Sequence, residues 1–565
     1  MGPGRLFPSR SAVLARRVAG AALLLGIANH SGAPVLRSGG LRPPAFRPSL
    51  PTPEQAPSAA TAQDRVPGSL AETLAHAQQL IERRDLAAAR SELTGALGAY
   101  PRDPGLRNLL GVVEAQQGDY RKAEADFKIA IAAGSRFTGA YLNLGRLYQE
   151  NAAKDPRALK KGLEVYRRLL DFEPENVEAT YQSAVLLGRL ASFQASLDRL
   201  SRLPAEDQQR AQALSVRCAD YAGLGETARA EGAAARLLAR EDLAEADVLS
   251  ILPVLESHKR DDLEGRLLEG LAERKLASPA TLNRLGLHYE RRGRLDQARQ
   301  TLERVAELEP NSVATLLELA RVANQQKDNK GALGYLAHAR DIEPANASVH
   351  FFFGMVSVEE NLAQEAYTSL KKAVSLDPAN AYYNYAMGAV AVGRDDPREA
   401  IPYFQKYCEL KPQDPRGRFA LGAAYFYSHD YERARQKLEA AARAPETASG
   451  AHFFLGRIAN QEGDLAEAVR ELRLALDGDP NYADAHAELG RVRLNRKEYS
   501  LAEKDLLRAL EIDPNNYTAN LNLMILYQRT KDPRAEAQAS RFEEVKKRRA
   551  ERAKEFLRTI EVRPY

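Results

Sequence analysis

Seven small residues, Gly286, Ala320, Gly354, Gly388, Gly422, Gly456 and Gly490, follow one another at intervals of 34 residues. Twelve residues after each stands an alanine: Ala298, Ala332, Ala366, Ala400, Ala434, Ala468 and Ala502. Prolines close most of these units, at Pro310, Pro344, Pro378, Pro412, Pro480 and Pro514. Self-similarity at a fixed period of this size marks a repeat architecture, in which each unit packs only on its neighbours. Within a unit the apolar residues recur at helical spacing, as Leu285, Tyr289, Leu295 and Leu302 do. Each unit therefore predicts a helical hairpin. Helix A carries the small residue, helix B the alanine, and their backbones approach closely where neither has bulk. Proline then ends helix B, because it lacks an N–H and biases the residue before it away from the helical region.

This pattern resembles the tetratricopeptide repeat, a helix–turn–helix with small residues at its positions 8, 20 and 27. The segment Ser449–Pro480 (SGAHFFLGRIANQEGDLAEAVRELRLALDGDP) matches it at nearly every signature position. The resemblance runs from Ser69 onward in about fourteen units and implies an all-α fold, a right-handed α–α superhelical solenoid. Residues 69–176 make three good units, marked by Ala77/Ala89/Pro101, Gly111/Ala123 and Gly145/Pro174. The third has extra residues around Asn151–Arg157, expected to lengthen its inter-helix turn. Residues 177–278 are degenerate: Cys218 and Leu252 replace the small residue, Ser196 and Glu264 the alanine, and Pro253 falls inside an expected helix. Looser packing is expected there. The regular array spans 279–516. Residues 517–565 make a terminal unit, with Met524 in place of the small residue, and a basic helix bearing Lys546, Lys547 and Arg548. Interspersed acids such as Glu543 and Glu544 favour a solvating cap, which terminal repeats require, over a patch for nucleic acid or acidic lipid.

The first 28 residues have another texture. Arg5, Arg10, Arg16 and Arg17 precede the uncharged run Val18–Ala28 (VAGAALLLGIA), the form of an export signal, with small residues ahead of a cut before Asn29. That run is short for a membrane span, which needs about 20 apolar residues. Periplasmic or secreted location is the expectation. Membrane anchoring through an uncleaved segment, or a mitochondrial address suggested by the lack of acids before Glu54, are the alternatives. Residues 29–68, rich in Pro, Ala and Ser, predict a disordered linker.

Sequence offers little chemistry. Phosphate loops, HExxH, CxxC and GxSxG motifs are absent, and the histidines are scattered, with His288–Glu290 and His429–Asp430 as lone neighbours. Because the repeats consume nearly the whole ordered chain, no catalytic, metal-binding or cofactor-binding residue is expected. The balance of 80 basic against 76 acidic residues gives no reason to expect nucleic acid as a partner. Cys218 and Cys408 are far apart, inside helical patterns, and predict buried apolar fillers.

The resemblance implies a groove lined by positions 2, 5, 9 and 12 of the A helices. Position 5 carries Phe351, Tyr385, Phe419 and Phe453 in four consecutive units, with Tyr382 at position 2 and Phe426 at position 12. Exposed aromatic clusters usually bind; rings packed sideways between helices only stabilise. Both readings are open at this point. Arg321 with Asn324 and Arg457 with Asn460 repeat one pair at positions 9 and 12, and Arg491 follows Arg457 by one unit. Such a pair, three apart on one helix face, suits a carboxylate or the backbone of an extended peptide; solvated groove residues are the plainer reading. A non-enzymatic scaffold holding a protein or peptide partner in the groove is the expected function. The alternatives are a substrate-selecting arm of a glycosyltransferase system, and an envelope factor handling lipid or polysaccharide. Position 12 varies too much (Glu290, Asn324, Val358, Val392, Phe426, Asn460) to make the asparagine ladder the first alternative calls for.

Overall fold

The computed structural model describes residues 69–394 and 396–561, with side chains as far as Arg548. The expected signal (1–28) and linker (29–68) lie outside the described residues. Among those residues every regular element is a helix, and the fold is an all-α superhelical repeat. Their contacts gather into two compact units, one ending at Arg294 and one beginning at Leu295.

The unit from Leu295 opens with the helix Leu295–Leu308 and continues as A/B hairpins. Their A helices are Val313–Gln325, Ala347–Glu359, Ala381–Gly393, Pro415–Tyr427, Pro445–Glu462, Ala483–Asn495 and Tyr517–Thr530. Local chemistry sets these boundaries. Ser312, Asn346, Asn380, Asp414 and Asn516 cap A helices by accepting backbone N–H bonds, and Asp328, Asp396, Asp430 and Asp464 cap B helices in the same way. The B helices ending at Leu308, Ile342, Leu376, Leu410, Gly478 and Ile512 each stop two residues before the repeating proline.

The turn from A to B has its own period. Lys327, Asn361, His429, Gly463, Lys497 and Lys531 all have positive φ, between 54° and 86°. A left-handed residue reverses the chain here, at a steric cost that glycine alone escapes. His429 is thus a turn residue, which accounts for its place beside the capping Asp430.

The small residue of helix A has a direct steric reason. A Cβ on Gly354, Gly422, Gly456 or Gly490 would stand 2.6–2.7 Å from Cγ of Leu370, Leu438, Leu472 or Leu506 on the paired B helix. At Gly388 the ring of Phe404 takes that place, at 2.8 Å. The carbonyl oxygens of Ala366, Ala468 and Ala502 come within 3.2–3.3 Å of the same points, so the periodic alanine brings backbone against backbone. Each A helix from Ala347–Glu359 onward also touches the next A helix, making one continuous layer.

The unit ending at Arg294 holds the hairpins from Leu70–Glu82 to Thr227–Leu238 and the helices through Pro279–Arg291. The extra residues of the third repeat form a 3-10 turn, Asn151–Ala153, and a short connection before Ala158. Pro253 breaks its expected helix in two, Glu245–Leu249 and Leu252–Ser257, and sits in the first turn of the second piece, where its missing N–H costs least. Between 177 and 278 helix pairing is sparser, carried by short helices such as Phe193–Leu200, Glu245–Leu249 and Leu252–Ser257, while their inward side chains stay covered. Cys218, Ala230, Leu252 and Leu255 are fully buried, and the Ser196 hydroxyl reaches across to donate to the Ala184 carbonyl at 2.9 Å.

The last helix, Ala535–Glu561, docks on Tyr517–Thr530. Phe542 meets the Tyr517 ring at 5.2 Å and Gln538 donates to the Asn520 carbonyl. Phe542 and Val545 are buried while Lys546, Lys547 and Arg548 face outward, as a cap requires.

Candidate binding face of the regular array

The candidate site lies on the A-helix layer between residues 313 and 495. Its position-5 rings do not stand free. Tyr385 is 5 % exposed and wedged against Phe404 (4.8 Å to Tyr407, 5.6 Å to Phe404), and burial pushes its hydroxyl well above the usual tyrosine range. Phe453 is 7 % exposed, 5.0 Å from the Tyr482 ring and 5.4 Å from Phe454. Phe426 is 5 % exposed among Tyr427, Tyr431 and Phe454. For these three, the expectation of groove-lining anchors is corrected: neighbouring helices supply bulky partners that cover the rings. Phe351 and Phe419 are half-buried, leaning on Tyr383 (4.7 Å) and Phe454 (5.9 Å), and Tyr382 is half-buried under the Lys411 ammonium at 5.8 Å. Part of each of these three rings stays accessible.

The polar pairs are also engaged. Arg321 is paired with Glu318, and Asn324 is buried, donating to Asn329 (2.9 Å) and Glu359 (2.7 Å). Arg457 sits in a cage of rings, its guanidinium 4.5 Å from the Phe426 centroid, 5.5 Å from Phe453, 5.8 Å from Phe454 and 6.0 Å from Tyr427. Cation–π attraction and an ion pair at 4.0 Å to buried Glu488 hold it there. Glu488 also takes Arg491 at 2.6 Å, and with the Asn460 amide turned so that its oxygen meets donors, Arg491 donates to that oxygen at 2.6 and 3.2 Å. The two repeated pairs therefore play unlike parts, one closing onto acids and the other stitching three A helices into a network. The partner that decides this, Glu488, lies outside the two pairs that sequence singled out.

Beside the network, Arg416 is paired with Asp414, which also accepts from the Tyr407 hydroxyl at 2.6 Å. Burial pushes the Asp414 carboxyl up, but the bonds from Arg416 and Tyr407 outweigh it and hold it below the ordinary carboxylate range. The face is thus apolar and aromatic at its middle, with partly exposed guanidiniums at Arg321, Arg416 and Arg491. Among the described residues no group of three or more His, Cys, Asp or Glu is placed to hold a metal, and no helix is long and apolar enough to cross a membrane. Cys218 is buried, Cys408 half-buried, and both are free thiols.

Together the glycine crossings, left-handed turns and closing prolines define a helical-hairpin repeat protein. Models of the tetratricopeptide repeat match residues 74–136, 290–350, 419–483 and 468–517, and the chain is a tetratricopeptide-repeat protein. Among solved structures it is similar to the APC/C hetero-tetramer Cut9–Hcn1 (17 % identity over 80 % of this chain and 89 % of that one, TM-score 0.35). It is also similar to PilF of Pseudomonas aeruginosa (23 % identity, 38 % and 97 % covered, TM-score 0.33). A third similar structure is YrrB, described as a TPR protein with an unusual peptide-binding site (22 %, 39 % and 95 %, TM-score 0.25). No curated protein matches the chain. A repeat fold of this family is generally a non-enzymatic interaction scaffold for protein partners.

Proposed function

We propose that the chain holds an extended segment of a partner protein along its A-helix layer between residues 347 and 495. The observation that carries this reading is the set of half-covered rings Phe351, Tyr382 and Phe419, in a face whose other rings are spent on packing. Half-exposed aromatics backed by rigid neighbours offer contact area at little entropic cost. The partly exposed guanidiniums of Arg416 and Arg491 flank them and suit main-chain carbonyls or acidic side chains of such a segment. Export through residues 1–28 belongs to the same proposal and would place the scaffold outside the cytoplasm.

The test is a set of peptides selected on the mature wild-type chain and measured by calorimetry. Phe351→Ala with Phe419→Ala is expected to weaken binding at least tenfold with helical content intact, as truncated aromatic anchors commonly cost about 2 kcal/mol or more. Lys547→Ala with Arg548→Ala, on the outer face of the terminal helix, is the comparison and is expected to change nothing. Loss of binding in the second pair alone would move the contact surface to the cap and end this reading.

A further inference from the structure

Asp220 is fully buried in the helix Ala211–Leu224, and neither of its carboxyl oxygens has a hydrogen-bond partner. An ionised carboxylate in such a place is costly, and buried charges are ordinarily paired. Its surroundings explain which form fits. Oδ1 lies 3.0 Å from where a Cβ on Gly188 would stand, and Ser196 Oγ borders the same point at 3.8 Å. The Ser196 hydroxyl proton is already committed to the Ala184 carbonyl. The nearby Ser196 hydroxyl draws the carboxyl down, and burial outweighs that pull. A buried carboxyl with no hydrogen bond of its own suits the acid form, not the ion.

No cation neutralises the group. On its own helix, Arg217 acts on Asp220 from a distance while donating to Gln208 at 3.3 Å. Arg260 reaches the same helix but donates to the Ala222 carbonyl and the Thr227 hydroxyl, and on the helices packed around Asp220 the following charged groups are directed elsewhere. Arg189 donates to the Gln149 carbonyl, Asp198 accepts from Gln194, and Asp207 pairs with Arg210. Arg229 pairs with Glu226 and Glu256 with Arg284, while Glu245 and Asp247 accept from the backbone of Ser278 and Ala244.

We propose that Asp220 is a proton-operated latch: protonated, it closes the crossing of helices Val177–Arg189, Phe193–Leu200 and Ala211–Leu224, and on losing its proton it drives that hairpin open. Burial pushes this carboxyl from 3.8 up to about 7, so the switch falls near neutrality. The folded value lies above the unfolded one. The latch therefore stabilises fully at low pH, weakens as pH climbs from about 4 to about 7, and contributes nothing further above that. A proton-linked hinge of this kind would let one stretch of an interaction scaffold loosen with the acidity of its surroundings, while the repeats from Leu295 onward stay closed.

The experiment is hydrogen exchange on the full chain from pH 5 to 8, corrected for intrinsic exchange rates. Amides of residues 193–224 are expected to lose at least tenfold in protection between pH 5 and 7.5, those of 445–478 to lose none, and Asp220→Asn to abolish the difference. Uniform pH dependence across the chain, or an unchanged response in Asp220→Asn, would overturn the latch. Should that variant misfold, the wild-type Asp220 carboxyl carbon, followed by NMR, decides: a midpoint near 7 supports the proposal and one near 4 rejects it.

Discussion

Gly456→Ala and Gly334→Ala make the same chemical change on the two helices of one repeat family, and they are expected to move stability in opposite directions. In a helix interior alanine is favoured over glycine by about 1 kcal/mol, because glycine loses more backbone freedom on folding. At Gly334, on the B helix Asn329–Ile342, an added Cβ meets nothing within 4 Å, so the gain of about 1 kcal/mol is expected in full. At Gly456 the new methyl would stand 2.7 Å from Leu472 Cγ and 3.2 Å from the Ala468 carbonyl oxygen. Neither obstacle can swing aside. Cγ is a branch point of a fully buried side chain, and the carbonyl belongs to the helix itself. Relief requires the two helices to separate. Overpacking of this sort costs about 1–3 kcal/mol, and with a rigid obstacle the upper part of that range applies. The net for Gly456→Ala is a loss of about 1–2 kcal/mol, and the two variants should differ by about 2–3 kcal/mol. Repeat arrays can open piecewise, so guanidinium unfolding should be paired with hydrogen exchange of residues 445–478 and 329–342. Equal shifts of the same sign would show that the glycine period does not record helix contact.

Two further outcomes are expected. Arg493→Ala should destabilise the repeat by about 3–5 kcal/mol, because it strands Asp505, the other half of a buried pair whose carboxyl is already pushed up by burial. That loss should be smaller at pH 5 than at pH 8, since the stranded acid can take a proton, and thermal melts at both pH values read it. For the export proposal, N-terminal sequencing of protein from the native host should begin at or near Asn29. A chain starting at Met1 in the soluble cytoplasmic fraction would refute it.

The parts of this protein legible in its sequence are those governed by interactions inside one hairpin. The 34-residue spacing of Gly354, Gly388, Gly422, Gly456 and Gly490 is a record of one leucine or phenylalanine pressing on each glycine, and the proline two residues past helix B is a record of its end. The left-handed turns were equally local. Gly293 and Gly463 stand in register with Lys327, Asn361, His429 and Lys497, and that alignment was the signal by which the turn positions, and the place of His429, were open to discovery. Tertiary structure alone decided how much of the candidate face stays open. Whether a position-5 ring faces a groove depends on the bulk that the paired B helix and the following A helix bring against it. Phe404 and Tyr407 cover Tyr385, and Tyr482 covers Phe453, whereas Phe351 and Phe419 keep part of their surface. Arg457 and Arg321 occupy the same position of the repeat, yet one is caged by rings and tied to Glu488 while the other closes onto Glu318 on its own helix. Helical periodicity assigns a residue to a face of its helix, but how much of that face remains open is set by the side-chain volumes and charges that the paired helix and the neighbouring repeats bring against it, which the period of one helix does not record.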